Sequence, residues 1–240
     1  MTEQLRINKY LSSIGFCSRR EADRLLEQGK VKIDGETAQV GQRVMTEQEV
    51  TVNGIPVKDK PREIIIAFNK PKGIVCTSSK KEKNNIVDYL HFPTRIYPVG
   101  RLDKDSTGLI LLTNDGELTD CILRGKNNHE KEYLVTVQKP LRAEIIHAME
   151  QGVPILDTMT RPCRIIQIDS HTFRIILTQG LNRQIRRMCE YFGYKVITLK
   201  RVRVMNIHLG DLKEGTWREI TGKELAELKD ALKGQKFYNE

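Results

Sequence analysis

Gly100-Arg101-Leu102-Asp103-Lys104-Asp105-Ser106-Thr107-Gly108-Leu109-Ile110-Leu111-Leu112-Thr113 is the most telling stretch of this 240-residue chain. Leu109 to Leu112 form an unbroken aliphatic run of strand length, the pattern of a strand buried on both faces. The residues ahead of it make a charged, turn-forming loop, and loops held by rigid strands are where chemistry concentrates. Working outward, residues 64–68, 133–138, 164–168, 173–177 and 195–199 read as further strands. Residues 117–124, 142–151, 182–192 and 222–232 read as helices. Their order is irregular rather than a repeating βαβ array. The pattern therefore predicts an α+β domain with a mixed, mainly antiparallel sheet flanked by helices.

The first sixty residues follow a different pattern. Leu5, Tyr10, Leu11 and Ile14 sketch a short helix that Gly15 can stop. Ser18-Arg19-Arg20-Glu21 is a capping box opening a second helix, with Ala22, Leu25 and Leu26 on its apolar side and Gly29 past its end. Strand-like pieces follow at 31–33 and 49–52, with turns at Asp34-Gly35 and Asn53-Gly54. The polar segment 58–63, which contains Pro61, predicts the boundary: a small αα-β domain over 1–60 and a larger one over 61–240.

Lys and Arg outnumber Asp and Glu by 40 to 31, a balance that points to a polyanionic partner. The excess is uneven. Residues 181–205 hold seven cations against the single acid Glu190, and Lys70, Lys72, Lys80, Lys81 and Lys83 stand against Glu82 alone. In the helix at 182–192, Ile185, Met188, Cys189 and Phe192 make a stripe that should bury against the sheet. Arg183 and Arg187 lie one turn apart with Arg186 beside them. Like charges so placed cost about 0.2–0.5 kcal/mol per pair, so the cluster calls for an anion.

Other classes fit poorly. The apolar runs are too short to cross a bilayer, and Met1 to Arg6 lacks the apolar core of a signal peptide. The five cysteines are scattered without a C-x-x-C pair, and the histidines show no ligand spacing with them. The expectation is a cytoplasmic protein without a disulfide framework, a metal or a membrane partner. Asp103 and Asp105 taken alone stay ambiguous. They fit ordinary turn chemistry, half of a Mg²⁺ site in a nuclease, or an acid–base pair.

Three ordered stretches carry a resemblance that bears on this choice. Gly100 to Leu109 resembles the catalytic motif of the RsuA-type RNA pseudouridine synthases. His129-Glu130-Lys131-Glu132-Tyr133-Leu134-Val135 resembles the family's second motif, and Gln179-Gly180-Leu181-Asn182-Arg183-Gln184-Ile185-Arg186-Arg187-Met188 its third. The helices over 11–29 are similar to the RNA-binding domain named after ribosomal protein S4. Gly180 to Glu190 and Gly152 to Leu156 look most like the branch acting on large-subunit ribosomal RNA. Some of those enzymes carry a long basic tail, whereas this chain stops at Glu240.

The resemblance implies an isomerase that needs no cofactor. It makes Asp103 the catalytic carboxylate, acting as nucleophile or base, with Arg186 paired to it and Tyr133 against the uracil ring. Arg101 would fill the stack vacated by an extruded base. Lys104, Arg183 and Arg187, with Arg19, Arg20 and Arg24 of the first domain, would hold RNA phosphates. The implied partner is a stem-loop of 23S ribosomal RNA, with transfer RNA open as a second substrate and a monomer as the working form. The rivals are a non-catalytic RNA-binding protein and a metal-dependent nuclease built on Asp103 and Asp105.

Overall fold

A computed structural model describes residues 4–45, 47–57, 61–79, 81–124 and 128–233. These fall into two compact units: one takes in the chain up to Glu63 with Pro93–Arg95 and Asn114–Gly116, the other the remainder. Lys58, Asp59 and Lys60 of the expected boundary, and Lys80 of the second basic run, lie outside the described residues.

In the smaller unit, helices Ile7–Ser13 and Arg19–Glu27 pack over short strands. Ser18 Oγ accepts the Glu21 N–H at 3.1 Å, the hydrogen bond that the capping pattern predicts. Leu5 departs from expectation. It lies in strand Gln4–Arg6, paired with Arg43–Met45, because Arg6 is extended and the helix begins only at Ile7. A second sheet runs in the order Glu36–Thr37, Val31–Ile33, Val50–Val52, Ile55–Pro56. Asp34-Gly35 and Asn53-Gly54 both have positive φ at the two central positions, the mirror-image turn that suits strand twist. Leu11, Ala22, Leu26, Val31 and Val52 close this core.

The larger unit is built on one sheet. Its order is Arg164–Gln167, Thr172–Leu177, Lys131–Val137, Val196–Val204, Thr107–Thr113, Ile65–Lys70, Trp217–Glu219. The sequence reading missed Trp217–Glu219 and helix Ile86–Leu90, both too short to show a period. Ile65 and Lys70 bound a strand whose every residue is buried. Its alternate residues serve two cores: Ile66 and Phe68 meet Ile110 and Leu112, while Ile65 and Ala67 meet Leu109, Leu111 and the helix Gly222–Leu232. In the other half, Ile185, Met188 and Cys189 of helix Gln184–Tyr191 bury against Val135, Ile175 and Leu177, as their spacing predicts.

Every strand pair along this order is antiparallel except one. Val196–Val204 runs parallel to Thr107–Thr113, and only Lys200 with Thr107 and Arg201 with Gly108 are in register. This seam joins the two halves of the sheet, and it demands glycine. Gly108 has φ +97°, and a Cβ there would stand 2.3 Å from the Arg201 carbonyl oxygen and 2.8 Å from its nitrogen. Neither backbone atom can yield without parting the strands. Gly108→Ala is expected to cost about 2–4 kcal/mol of stability, from overpacking plus left-handed strain. Chemical denaturation of the variant beside the native chain measures it.

Candidate active site

The loop ahead of the seam is tied down from several sides. The Ser106 N–H donates to the Asp103 carbonyl at 3.0 Å, closing the turn, and the Gly73 N–H donates to the Lys104 carbonyl at 2.8 Å. Lys70 is completely buried, and its ammonium donates to the carbonyls of Pro71, Ile74 and Lys104 at 2.8, 2.9 and 3.4 Å. Burial lowers its pKa, opposed by the nearby Cys76, Asp103, Asp105 and Glu214 charges. Lys70, counted in the second basic stretch, is therefore a strut beneath the loop and adds nothing to an exposed basic face.

Asp103 is reached by two arginines. Arg183 Nη1 lies 3.5 Å and Arg186 Nε 3.8 Å from Asp103 Oδ2. Arg186 also donates from Nη2 to Ser106 Oγ at 3.4 Å, while its buried Nε has no hydrogen-bond partner. The separations are long for charged hydrogen bonds, as is common before substrate draws a site together. Arg183 occupies the left-handed region at φ 50° just before its helix, a conformation a side-chain-bearing residue keeps only when its surroundings impose it. So the expected pairing of Arg186 is present. Arg183, expected only at phosphates, faces the same carboxylate.

The groups converge on a cleft of about 430 Å³. Tyr133 forms one wall, packed against both flanking cores. Arg101 and Asp103 line it from the loop and Arg183 from the helix start. Two further residues there were missed by the sequence reading. Lys131 precedes Tyr133 by two positions and so shares its face of the strand, and Arg201 is the cross-strand partner of Tyr133. The period of two could have revealed Lys131. Nothing local marks Arg201 out from its basic neighbours.

The remaining expected residues scatter. Lys104, Arg19, Arg20 and Arg24 are exposed, and Arg187 is half-buried. Arg24 already pairs with Glu21 at 3.1 Å, and Arg187 donates to the Asn182 carbonyl at 3.1 Å. Arg203, counted in the basic run, is held on the opposite face by Glu132 and Glu130 at 2.8 and 2.9 Å. The nuclease reading required carboxylates converging on Asp103, and what converges there is guanidinium. Among the described residues no group of three or more His, Cys, Asp or Glu is placed to hold a metal ion.

The sequence and fold match a known class. Residues 64–191 fit the RNA pseudouridylate synthase family and residues 5–50 the S4 domain. The chain belongs to the RNA pseudouridylate synthase family, enzymes that isomerise uridine in RNA. It is 53% identical over 233 residues to the dual-specificity RNA pseudouridine synthase RluF of Salmonella typhi, covering 95% of this chain and 80% of that one. It is 52% identical over 226 residues to the protein of that name from Escherichia coli K12, covering 93% and 78%. The ribosomal large subunit pseudouridine synthase B of Bacillus subtilis is 32% identical over 233 residues, covering 93% and 95%. A crystal structure of a pseudouridylate synthase superposes with a TM-score of 0.68 at 28% identity, covering 95% of this chain and 99% of that one.

Lys70→Met would keep the packing of the stem but remove one donor from each of three carbonyls, of which that of Lys104 keeps the Gly73 N–H. Stability is expected to fall by about 1–3 kcal/mol, and turnover at saturating RNA to fall with it because the Lys104 carbonyl loses an anchor. Thermal melts and single-turnover rates on the same preparation check both.

Proposed function

We propose that this chain converts a defined uridine of 23S ribosomal RNA to pseudouridine, with Asp103 as the reacting carboxylate. The observation that carries the reading is the convergence of Arg183 and Arg186 on one carboxylate at the mouth of a cleft walled by Tyr133. The reaction breaks the bond from uracil N1 to the ribose, turns the base, and rejoins it through C5. No electrons or external energy enter the balance, so cofactor-free chemistry suffices. Asp103 acts at the ribose, by attack at C1′ or by removing the C2′ proton. Arg186 orients it. Tyr133 stacks against the base, and Arg101 at the exposed rim occupies the space that the extruded nucleotide leaves.

Residues 61–240 do the chemistry in this reading. Residues 1–60 set affinity and target choice, through Arg19, Arg20 and Arg24, while Lys104 and Arg187 add phosphate contacts that position RNA without reading sequence. The ribosomal target is favoured by the name of the Bacillus subtilis relative. The dual-specificity name of the two closer relatives favours a second RNA substrate, for which transfer RNA is the candidate.

The test is pseudouridine mapping across ribosomal and transfer RNA from a bacterial strain lacking its own enzyme of this type. The strain carries either this protein or its Asp103→Asn variant. A new modification with the first and none with the second is expected, a loss of at least roughly a thousandfold in rate. Modification with both would remove Asp103 from the chemistry, and none with either would remove these RNAs as targets.

A further inference from the structure

Behind Tyr133 the cleft holds positive charge that the Asp103 pairing does not use. Arg201 is 3% exposed. Its Nε donates to the Leu109 carbonyl at 2.6 Å, and its guanidinium lies 6.0 Å from the centre of the Tyr133 ring. Its Nη2 is buried with no hydrogen-bond partner. A guanidinium nitrogen buried without an acceptor is costly, and its position on the cleft says where an acceptor would come from. Lys131, on the same face, donates to the His129 carbonyl at 3.2 Å. The acids on either side of it in sequence, Glu130 just before the strand and Glu132 within it, are engaged by Arg203 on the far face.

Burial, with the repulsion of Arg201 added, pulls the Lys131 ammonium down to about 8. The other charged groups facing the cleft are Arg101 and Asp103 from the loop and Arg183 from the helix start, beside the neutral phenol of Tyr133 on the same strand. Asp103 is already met by Arg183 and Arg186. Two cations thus stand side by side at the wall where a base would lie, and among the described residues neither has a carboxylate paired with it.

The chemistry supplies one. When the bond from N1 to the ribose breaks, its electron pair stays with uracil, and the charge spreads over N1, O2 and O4. Asp103 gives up its own negative charge in the same step, to an ester bond at C1′ or to a proton from C2′, so the base carries the single negative charge. We propose that Arg201 and Lys131 form a seat for the carbonyl edge of uracil: Arg201 Nη2 donates to a ring carbonyl and the Lys131 ammonium stabilises the uracil anion. Donors fixed in advance where charge develops are among the strongest devices that a site can use. The inference rests on the reading of Asp103 as the bond-breaking carboxylate.

The test is single-turnover release of tritium from a 23S ribosomal RNA transcript labelled at uridine C5, with enzyme in excess, from pH 6 to 9.5. The native rate should fall as pH rises through about 8, where the Lys131 ammonium loses its proton. Lys131→Arg should keep activity within about tenfold and lose that alkaline limb, since guanidinium stays charged. Lys131→Met should lose about a hundredfold in rate with RNA affinity, by filter binding, within about twofold of native. Arg201→Lys should lose rate in the same way. If Lys131→Met weakens binding but leaves the saturated rate intact, the lysine holds a phosphate and the proposal falls. It falls equally if Lys131→Arg retains a limb near 8. An Asp103→Asn enzyme that still released tritium would overturn the carboxylate reading instead, a result separable from these.

Discussion

The parallel contact between Gly108 and Arg201 is the constraint around which the catalytic unit is arranged. Two antiparallel half-sheets, each with its own core, meet along a register only two residues long. Arg201 and Val204 of one strand and Ser106 just ahead of the other line the cleft. The strand carrying Gly108 begins directly after the Asp103 loop. The strand carrying Arg201 lies beside Tyr133, and helix Gln184–Tyr191 covers the same half from above. A close backbone approach at one glycine therefore sets the distance between the carboxylate, the aromatic wall and the arginines.

The electrostatics of the site follow from which side of a strand each basic residue falls on. Arg201 and Arg203 are two residues apart, yet local irregularity in the pairing with Lys131–Val137 lets one enter the cleft and the other meet Glu130 and Glu132. Arg183 and Arg186 turn toward Asp103, while Arg187 turns back to the Asn182 carbonyl. A run that reads as one basic face is thus divided into a pair that meets Asp103, a buried cation, a structural ion pair and residues nearer the surface. Lys70 repeats the lesson. It stands first in a lysine-rich stretch and is wholly enclosed by backbone carbonyls.

Most of the secondary structure was legible because it rests on local physics. The capping box at Ser18, the turns at Asp34-Gly35 and Asn53-Gly54, and the buried stripe of Ile185, Met188 and Cys189 depend on residues within a few positions of one another. The same holds for the aliphatic run at 109–112, whose burial on both faces its composition demands. Leu5 was misread because an apolar residue two positions before a helix fits that helix's apolar stripe as readily as a short strand. Trp217–Glu219 and Ile86–Leu90 carry too few residues for any period to emerge.

The site divides along the same line. The charged turn before a buried strand, the motif order and the arginine cluster lie within contiguous stretches, so the sequence alone determined the family, the two-part organisation and where chemistry was to be sought. Pairing between stretches thirty to eighty or more residues apart is another matter. That Arg183 shares Asp103 with Arg186, that Lys70 props the loop, and that Arg201 joins Lys131 behind Tyr133 with an unanswered hydrogen bond were decided only by the tertiary structure. The reason is physical: burial, register and the hand of a turn fix which partner a long charged side chain can reach, and none of these is a property of the residues taken in order.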